Sequence, residues 1–151
     1  MILGVTVQIA ELVSAVGVIA SLVYLAIQIR RNESTTRAGT TQELLSKSID
    51  MLLSQDENSP LYKLQSGQVL SGADKIKLEQ LYFARFSHFN NAQHQNSVGK
   101  LDPEIWAMYD ARTRRNIQQI EDFDDWWEKY QDNFTQSFKD YVVSIRKQLA
   151  G

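Results

Sequence analysis

An apolar run near the N-terminus constrains this chain more than any other feature. Residues 12–29 contain no charged side chain, and Arg30 and Arg31 follow directly. As a helix, the run measures about 27 Å, close to the roughly 30 Å thickness of the hydrocarbon core of a bilayer. The sequence therefore predicts a membrane-spanning helix.

A cleaved signal peptide and a buried core helix both fit this run less well. A signal peptide begins with basic residues, whereas here no Lys or Arg precedes Arg30. A buried core helix is usually shorter and apolar on one face only, whereas this run is apolar around most of its circumference.

The charges on either side of the run predict its orientation. Glu11 precedes it, and Arg30, Arg31 and Arg37 follow it. Cytoplasmic flanks of membrane helices are enriched in Lys and Arg, so we expect the N-terminus outside and residues 30–151 in the cytoplasm. The same three arginines are placed to contact anionic lipid headgroups.

Charge and cysteine content exclude several function classes. The chain has 16 Lys and Arg against 18 Asp and Glu, and all of these except Glu11 follow residue 29. This balance argues against a nucleic-acid-binding protein, which needs a basic surface. The absence of Cys excludes disulfides, thiolate zinc sites and Cys nucleophiles.

The remaining patterns predict an all-α fold, because no alternating β-type run and no Asn-Gly or Asp-Gly turn occurs. Helix start signals are found at Ser59-Pro60, at Ser71 with Asp74, and at Asp102-Pro103. We expect three parts: a transmembrane helix over 1–29, a continuous juxtamembrane helix over 30–54, and a cytoplasmic helical bundle over 55–151. Within the bundle, helices are expected from 60 to about 70, 72 to about 96, from 103, from 123, and over 135–149.

Aromatic residues are concentrated in the last third of the chain, where packing in a helical core is their default role. Trp126 and Trp127 are adjacent, and successive residues on a helix point about 100° apart. We therefore expect one of the two to be partly exposed.

Several segments resemble a family of small bacterial single-pass membrane proteins. The segment 22–32, with the Thr-Arg-Ala that follows at 36–38, is similar to the start of that family. The Trp pair at 126–127 and the Phe-x-x-Tyr at 138–141 are similar to its C-terminal half. The resemblance implies one membrane helix and a cytoplasmic helical domain in the inner membrane of a Gram-negative bacterium. It implies no activity and no catalytic residues.

A stripe of small and polar residues runs along the apolar helix at alternating spacings of three and four, which are the a and d positions of a heptad. Its members are Ser14, Gly17, Ser21, Tyr24 and Gln28. Small residues four apart let membrane helices approach closely, so the stripe predicts the interface of a parallel homo-oligomer. Two alternatives remain open, namely that the stripe lines a pore and that it has no role.

The heptad register continues beyond the apolar run through Arg31, Thr35, Ala38, Gln42, Leu45, Ile49 and Leu52. Polar residues at a positions, here Thr35 and Gln42, weaken a coiled coil. The alternative is that the leucines beyond the membrane pack on the protein's own bundle.

Arg112, Arg114 and Arg115 form a second basic cluster, which predicts a site for an anion or nucleotide with Trp106 or Tyr109 stacking on the ligand. The alternative is electrostatic pairing of a basic helix end with the acidic start of the next helix. His88 and His94 lie six residues apart, so they face different sides of a helix and do not predict a metal site.

No catalytic or nucleotide-binding motif and no cofactor signature occurs in the sequence. We therefore expect a non-enzymatic, membrane-anchored interaction or scaffold protein, either a homo-oligomer or a small subunit of a membrane complex. The alternative is a ligand-gated membrane effector or small channel, whose cytoplasmic domain binds an anionic molecule through the arginine cluster. The expected partners are membrane lipid, a second copy or another membrane protein, and not nucleic acid.

Overall fold

The computed structural model describes the backbone of residues 2–151 and the side chains of Glu11 and residues 13–151, so the predicted segment 1–29 lies partly outside the described residues. The described residues form helices and no strand, which confirms the all-α prediction. In chain order the helices are α1 (Ile2–Leu53), α2 (Pro60–Gln65), α3 (Gly72–Ser97), α4 (Pro103–Gln119), α5 (Phe123–Tyr130), the 3₁₀ helix η1 (Gln131–Asn133) and α6 (Gln136–Leu149).

The chain divides into two compact units, Met1–Ala38 and Gly39–Gly151. Helix α1 contributes to both, so the unit that contains the bundle begins inside the predicted juxtamembrane helix 30–54. In the first unit, the described side chains are exposed. The second unit has a hydrophobic core of its own.

Short side chains begin the helices of the second unit where the sequence predicted. Ser59, Asp102 and Thr135 each accept a hydrogen bond from a backbone N–H of the first turn. Ser71 and Asp74 form a complete capping box at the start of α3. These bonds satisfy N–H groups that have no partner inside the helix.

Two glycines end helices by adopting positive φ. Gly67 and Gly99 both have φ of 71°. After each, the next residue donates its N–H to a carbonyl five residues earlier, from Gln68 to Lys63 and from Lys100 to Gln95. This pattern is the Schellman motif, in which glycine avoids the strain of a left-handed conformation. It ends α2 at Gln65, before the residue 70 predicted from the sequence.

The core of the second unit is an aromatic cluster centred on Phe86, which is fully buried. The ring centroids of Trp126 and Phe86 are 5.1 Å apart, and Trp127 stacks on Phe134 with ring centroids 5.3 Å apart. Both tryptophans are buried, at 7% and 3% exposure, so the expectation that one is partly exposed was wrong. Helix α5 is short and packs against rings of α3 on one side and against Phe134 and Phe138 on the other, which covers two faces at once.

The C-terminal part of α1 contacts this core through a single fully buried side chain, Leu44. Leu45 is half-buried. Ile49, Leu52 and Leu53 are exposed at 53%, 63% and 79%. The alternative that the apolar side chains after the apolar run pack on the protein's own bundle therefore holds for Leu44 but not for these three.

Candidate functional site

The N-terminal unit exposes an apolar helical surface. Ten large apolar or aromatic side chains between Val13 and Ile29 have exposures of 48% to 66%. Among the described residues, one helix is long and apolar enough to cross a membrane, and it contains this surface. Soluble monomers rarely expose a contiguous apolar area of this kind, which makes it the first candidate interaction site.

Polar side chains within this surface have hydrogen-bond partners on the same helix. Ser21 Oγ donates to the Gly17 carbonyl oxygen at 2.9 Å, and Gln28 Nε2 donates to the Tyr24 hydroxyl at 2.7 Å. All five predicted stripe residues, including Ser14, are exposed. Such bonds lower the cost of placing polar groups in lipid, because the groups need no water.

The predicted lipid-facing arginines are available for contact. Arg30, Arg31 and Arg37 are exposed, and none forms an ion pair within the described residues. Between Arg31 and Arg37, Thr35 and Thr36 donate to carbonyl oxygens one turn earlier. The helix therefore continues regularly past the basic end of the apolar surface.

The three arginines of the second cluster have different surroundings. Arg114 donates to Asp110 and to Gln148 of α6, both at 2.7 Å. Arg115 is exposed and has no hydrogen bond or ion pair among the described residues. Arg112 lies near His88, whose charged form it disfavours. Each of the three has a different environment, and the anion site stays a prediction.

Asp110 instead organises the contact between α4 and α6. The Tyr141 hydroxyl and the Arg114 guanidinium both donate to its carboxylate. Burial alone would raise the pKa of Asp110, but these two hydrogen bonds outweigh it and hold the pKa below its usual value. Burial and the bond to Asp110 raise the pKa of the Tyr141 hydroxyl. The network joins two helices and leaves no carboxylate oxygen without a partner.

Three polar side chains meet where α1, α3 and α4 approach one another within the second unit. Ser48 Oγ lies 2.9 Å from both His88 Nε2 and the Tyr109 hydroxyl, and the last two atoms are 3.1 Å apart. His88 also bonds to the Leu44 backbone. Tyr109 is fully buried and His88 is 9% exposed. We call this group the polar triangle.

Burial lowers the pKa of His88, and the nearby Lys47 and Arg112 charges lower it further. The hydrogen bond to the Leu44 backbone partly opposes the shift. The imidazole is therefore neutral over most of the physiological pH range, with Nε2 able to accept a proton from either hydroxyl.

A serine hydrogen-bonded to a neutral histidine is the geometry of an activated nucleophile. A cleft of about 430 Å³ opens beside His88, between Lys47 of α1 and Asn91 of α3. Ser48, however, lies inside α1, where the backbone N–H groups are already used in the helix. Such a serine has no backbone donors of its own for a developing oxyanion. The triangle is best described as a set of hydrogen bonds that holds three helices together.

Several of the remaining ionisable groups have structural partners or exposed positions. His88 is buried and His94 is exposed, so the two face different sides of α3 as their spacing predicted. Asp124 and Asp125 occupy the first turn of α5, and Asp124 pairs with Arg146. Among the described residues, no group of three or more His, Asp or Glu side chains is placed to hold a metal ion.

The chain matches no protein-family model, no curated protein and no solved structure. The resemblance to small bacterial membrane proteins therefore stays a prediction.

The polar triangle is the feature that sequence reasoning missed. Ser48 lies 40 residues from His88 and 61 residues from Tyr109, and no short motif joins them. The available signal was a polar residue one turn after Leu44, on the side of α1 that faces the bundle.

Proposed function

We propose that this protein is a single-pass, membrane-anchored interaction protein that associates with itself through α1 and holds its helical bundle at the cytoplasmic face. The observation that carries the proposal is the exposed apolar surface of residues 13–29. Each large apolar side chain gains roughly 1 kcal/mol or more on leaving water, so ten together favour insertion by about 10 kcal/mol. This free energy is larger than the free energy of unfolding of a marginally stable domain, which is about 5 kcal/mol.

The polar chemistry of α1 supports the same proposal. The hydroxyl and amide groups at Ser21 and Gln28 are bonded within the helix, as a lipid environment favours. Arg30, Arg31 and Arg37 follow at one end only, and this asymmetry favours a cytoplasmic bundle and contact with anionic headgroups. The inner membrane of a bacterium is the setting that the sequence resemblance implies.

Self-association is proposed for the stripe from Ser14 to Gln28. A Cβ atom added at Gly17 meets no atom of the chain within 4 Å, so the glycine leaves a gap on the helix surface. Small residues at such gaps let two membrane helices approach closely. A ligand-gated channel receives less support, because Arg114 is already hydrogen-bonded to Asp110 and Gln148.

Membrane insertion is tested by extracting membranes of cells that express the full chain with alkaline carbonate. The proposal expects the protein to stay in the pellet, and release into the supernatant would contradict a span.

Because the chain has no Cys, a single Ser34→Cys substitution reports orientation. A membrane-impermeant maleimide should label this cysteine only after the inner membrane is opened. Labelling in intact spheroplasts would show that the orientation is the opposite of the one proposed.

Self-association is tested by co-expressing two full-length copies that carry different affinity tags. Purification through one tag should recover the other copy. Recovery should be lost when the two copies are expressed separately and mixed only after solubilisation, which controls for aggregation in detergent. Failure to co-purify after co-expression would contradict the proposal.

A further inference from the structure

Helix α1 carries two different faces in its C-terminal part. Leu44 and Ser48 face the protein's own bundle, one buried in the core and the other bonded to His88 and Tyr109. A second face, which we call the outer face, lies about 100° around the helix from Leu44 and Ser48. It consists of Leu45, which is half-buried, and the exposed side chains of Ile49, Leu52 and Leu53.

The outer face holds the heptad positions that a parallel pair of helices uses. Counting from Ser14 as position a, Ile49 is at a, while Leu45 and Leu52 are at d. β-branched residues at a together with Leu at d favour two-stranded parallel coiled coils. The register is the same one that the stripe follows in the apolar segment.

The charges of this part of α1 fit the same partner. Residues 32–53 contain five charged side chains, and every one falls at position b, c or f. They are Glu33, Arg37, Glu43, Lys47 and Asp50. Positions e and g, which flank the seam of a coiled coil, carry no charge. A second copy in parallel register therefore meets no like-charge repulsion beside the outer face.

We infer that the outer face packs against the outer face of a second copy of this chain, with the two helices parallel and in register. The inference rests on the proposed self-association and extends it from the membrane segment to the cytoplasmic part of α1. Arg31 at d and the polar residues Thr35 and Gln42 at a lie between the two apolar parts and lower the stability of the seam, while polar residues at a help to fix its register.

The test uses single cysteines in the full-length chain in native membranes, oxidised with copper phenanthroline. Ile49→Cys and Leu52→Cys probe the outer face, and Lys47→Cys and Asp50→Cys are the matched controls at positions f and b. Gly17→Cys and Ser21→Cys probe the membrane stripe independently. Ile49, Leu52, Lys47 and Asp50 are all exposed, so these substitutions leave the core intact. Unchanged tryptophan emission confirms this.

A disulfide requires Cα atoms within about 7 Å, so like positions at a and d of a parallel pair should link at least roughly fivefold more than the controls. Strong linking at 49 and 52 supports the inference. Linking at 17 and 21, with 49 and 52 no better than the controls, overturns the inference and leaves the proposed self-association standing. No linking at any of the six positions overturns both.

Discussion

At the residue scale, the environment of His88 opposes the charged form of its side chain. It is buried, it lies near Lys47 and Arg112, and its ring is bonded to Ser48 and Tyr109. Its pKa therefore lies below that of an exposed histidine. As pH falls below about 6.5, the unfolded chain binds a proton at this position before the folded chain does. The fold loses stability as pH falls from there toward the lowered pKa.

We expect the free energy of unfolding of the wild type to fall more between about pH 7.5 and pH 5.5 than that of His88→Gln. The full-length protein in detergent is titrated with denaturant while tryptophan emission is followed. All three tryptophans lie in the second unit, so the signal reports on the bundle. His94→Gln, at an exposed position, is the control and should keep the wild-type dependence. An equal pH dependence in His88→Gln would contradict the assignment.

Phe86 is a central residue of the core. It is fully buried and contacts five other rings. Phe86→Ala should lower the free energy of unfolding by about 3–5 kcal/mol, because a cavity remains in a packed aromatic cluster. Ile76→Ala, at a position 60% exposed, should cost less than about 0.5 kcal/mol. Similar losses in the two variants would mean that the cluster is not the centre of the core.

At the element scale, the sequence predicted the starts of helices better than their ends and their packing. Ser59, Ser71, Asp102 and Thr135 are local signals, because each caps a helix by bonding a backbone N–H within three residues. The end of α2 was predicted too late, since the turn at Gly67 was not recognised. The burial of both Trp126 and Trp127 depends on distant partners in α3 and α6, which a helical wheel does not contain.

The capping box of α3 gives a prediction at this scale. Ser71→Ala removes the hydroxyl that accepts from the Asp74 N–H at 3.1 Å and donates to its carboxylate at 2.8 Å. We expect a loss of about 1 kcal/mol in the free energy of unfolding, measured by denaturant titration. Ser71→Thr keeps the hydroxyl and should retain most of that stability. A neutral effect of Ser71→Ala would show that the cap is not needed.

The stripe from Ser14 to Gln28 gives a second prediction at this scale. A Cβ atom added at Gly17 lies in open space, so we attribute a loss of self-association in Gly17→Leu to the partner helix. Ala26→Leu makes a comparable change in size on the opposite side of α1, where no stripe residue lies. We expect co-purification of two tagged copies to fall at least about tenfold for Gly17→Leu and to stay near wild type for Ala26→Leu. If the two variants co-purify to the same extent, the stripe is not the interface.

At the scale of the whole molecule, the two units have opposite surface chemistry. The second unit buries its large aromatic side chains and caps its helices, as a water-soluble domain does. The first unit exposes apolar side chains and bonds its polar groups to its own backbone or to each other. The sequence predicted this difference in surface chemistry, because residues 12–29 carry no charge and nearly all charged residues follow them. It did not predict that α1 would also present an unpartnered apolar face in the second unit.

The central claim is that this chain is an integral membrane protein that associates with itself. The most direct test is the mass of the full-length wild type in native nanodiscs, measured by native mass spectrometry. The account predicts one discrete oligomer, with a dimer as the simplest case. A monomer at every protein-to-lipid ratio would contradict both the self-association through the stripe and the parallel seam of the outer face.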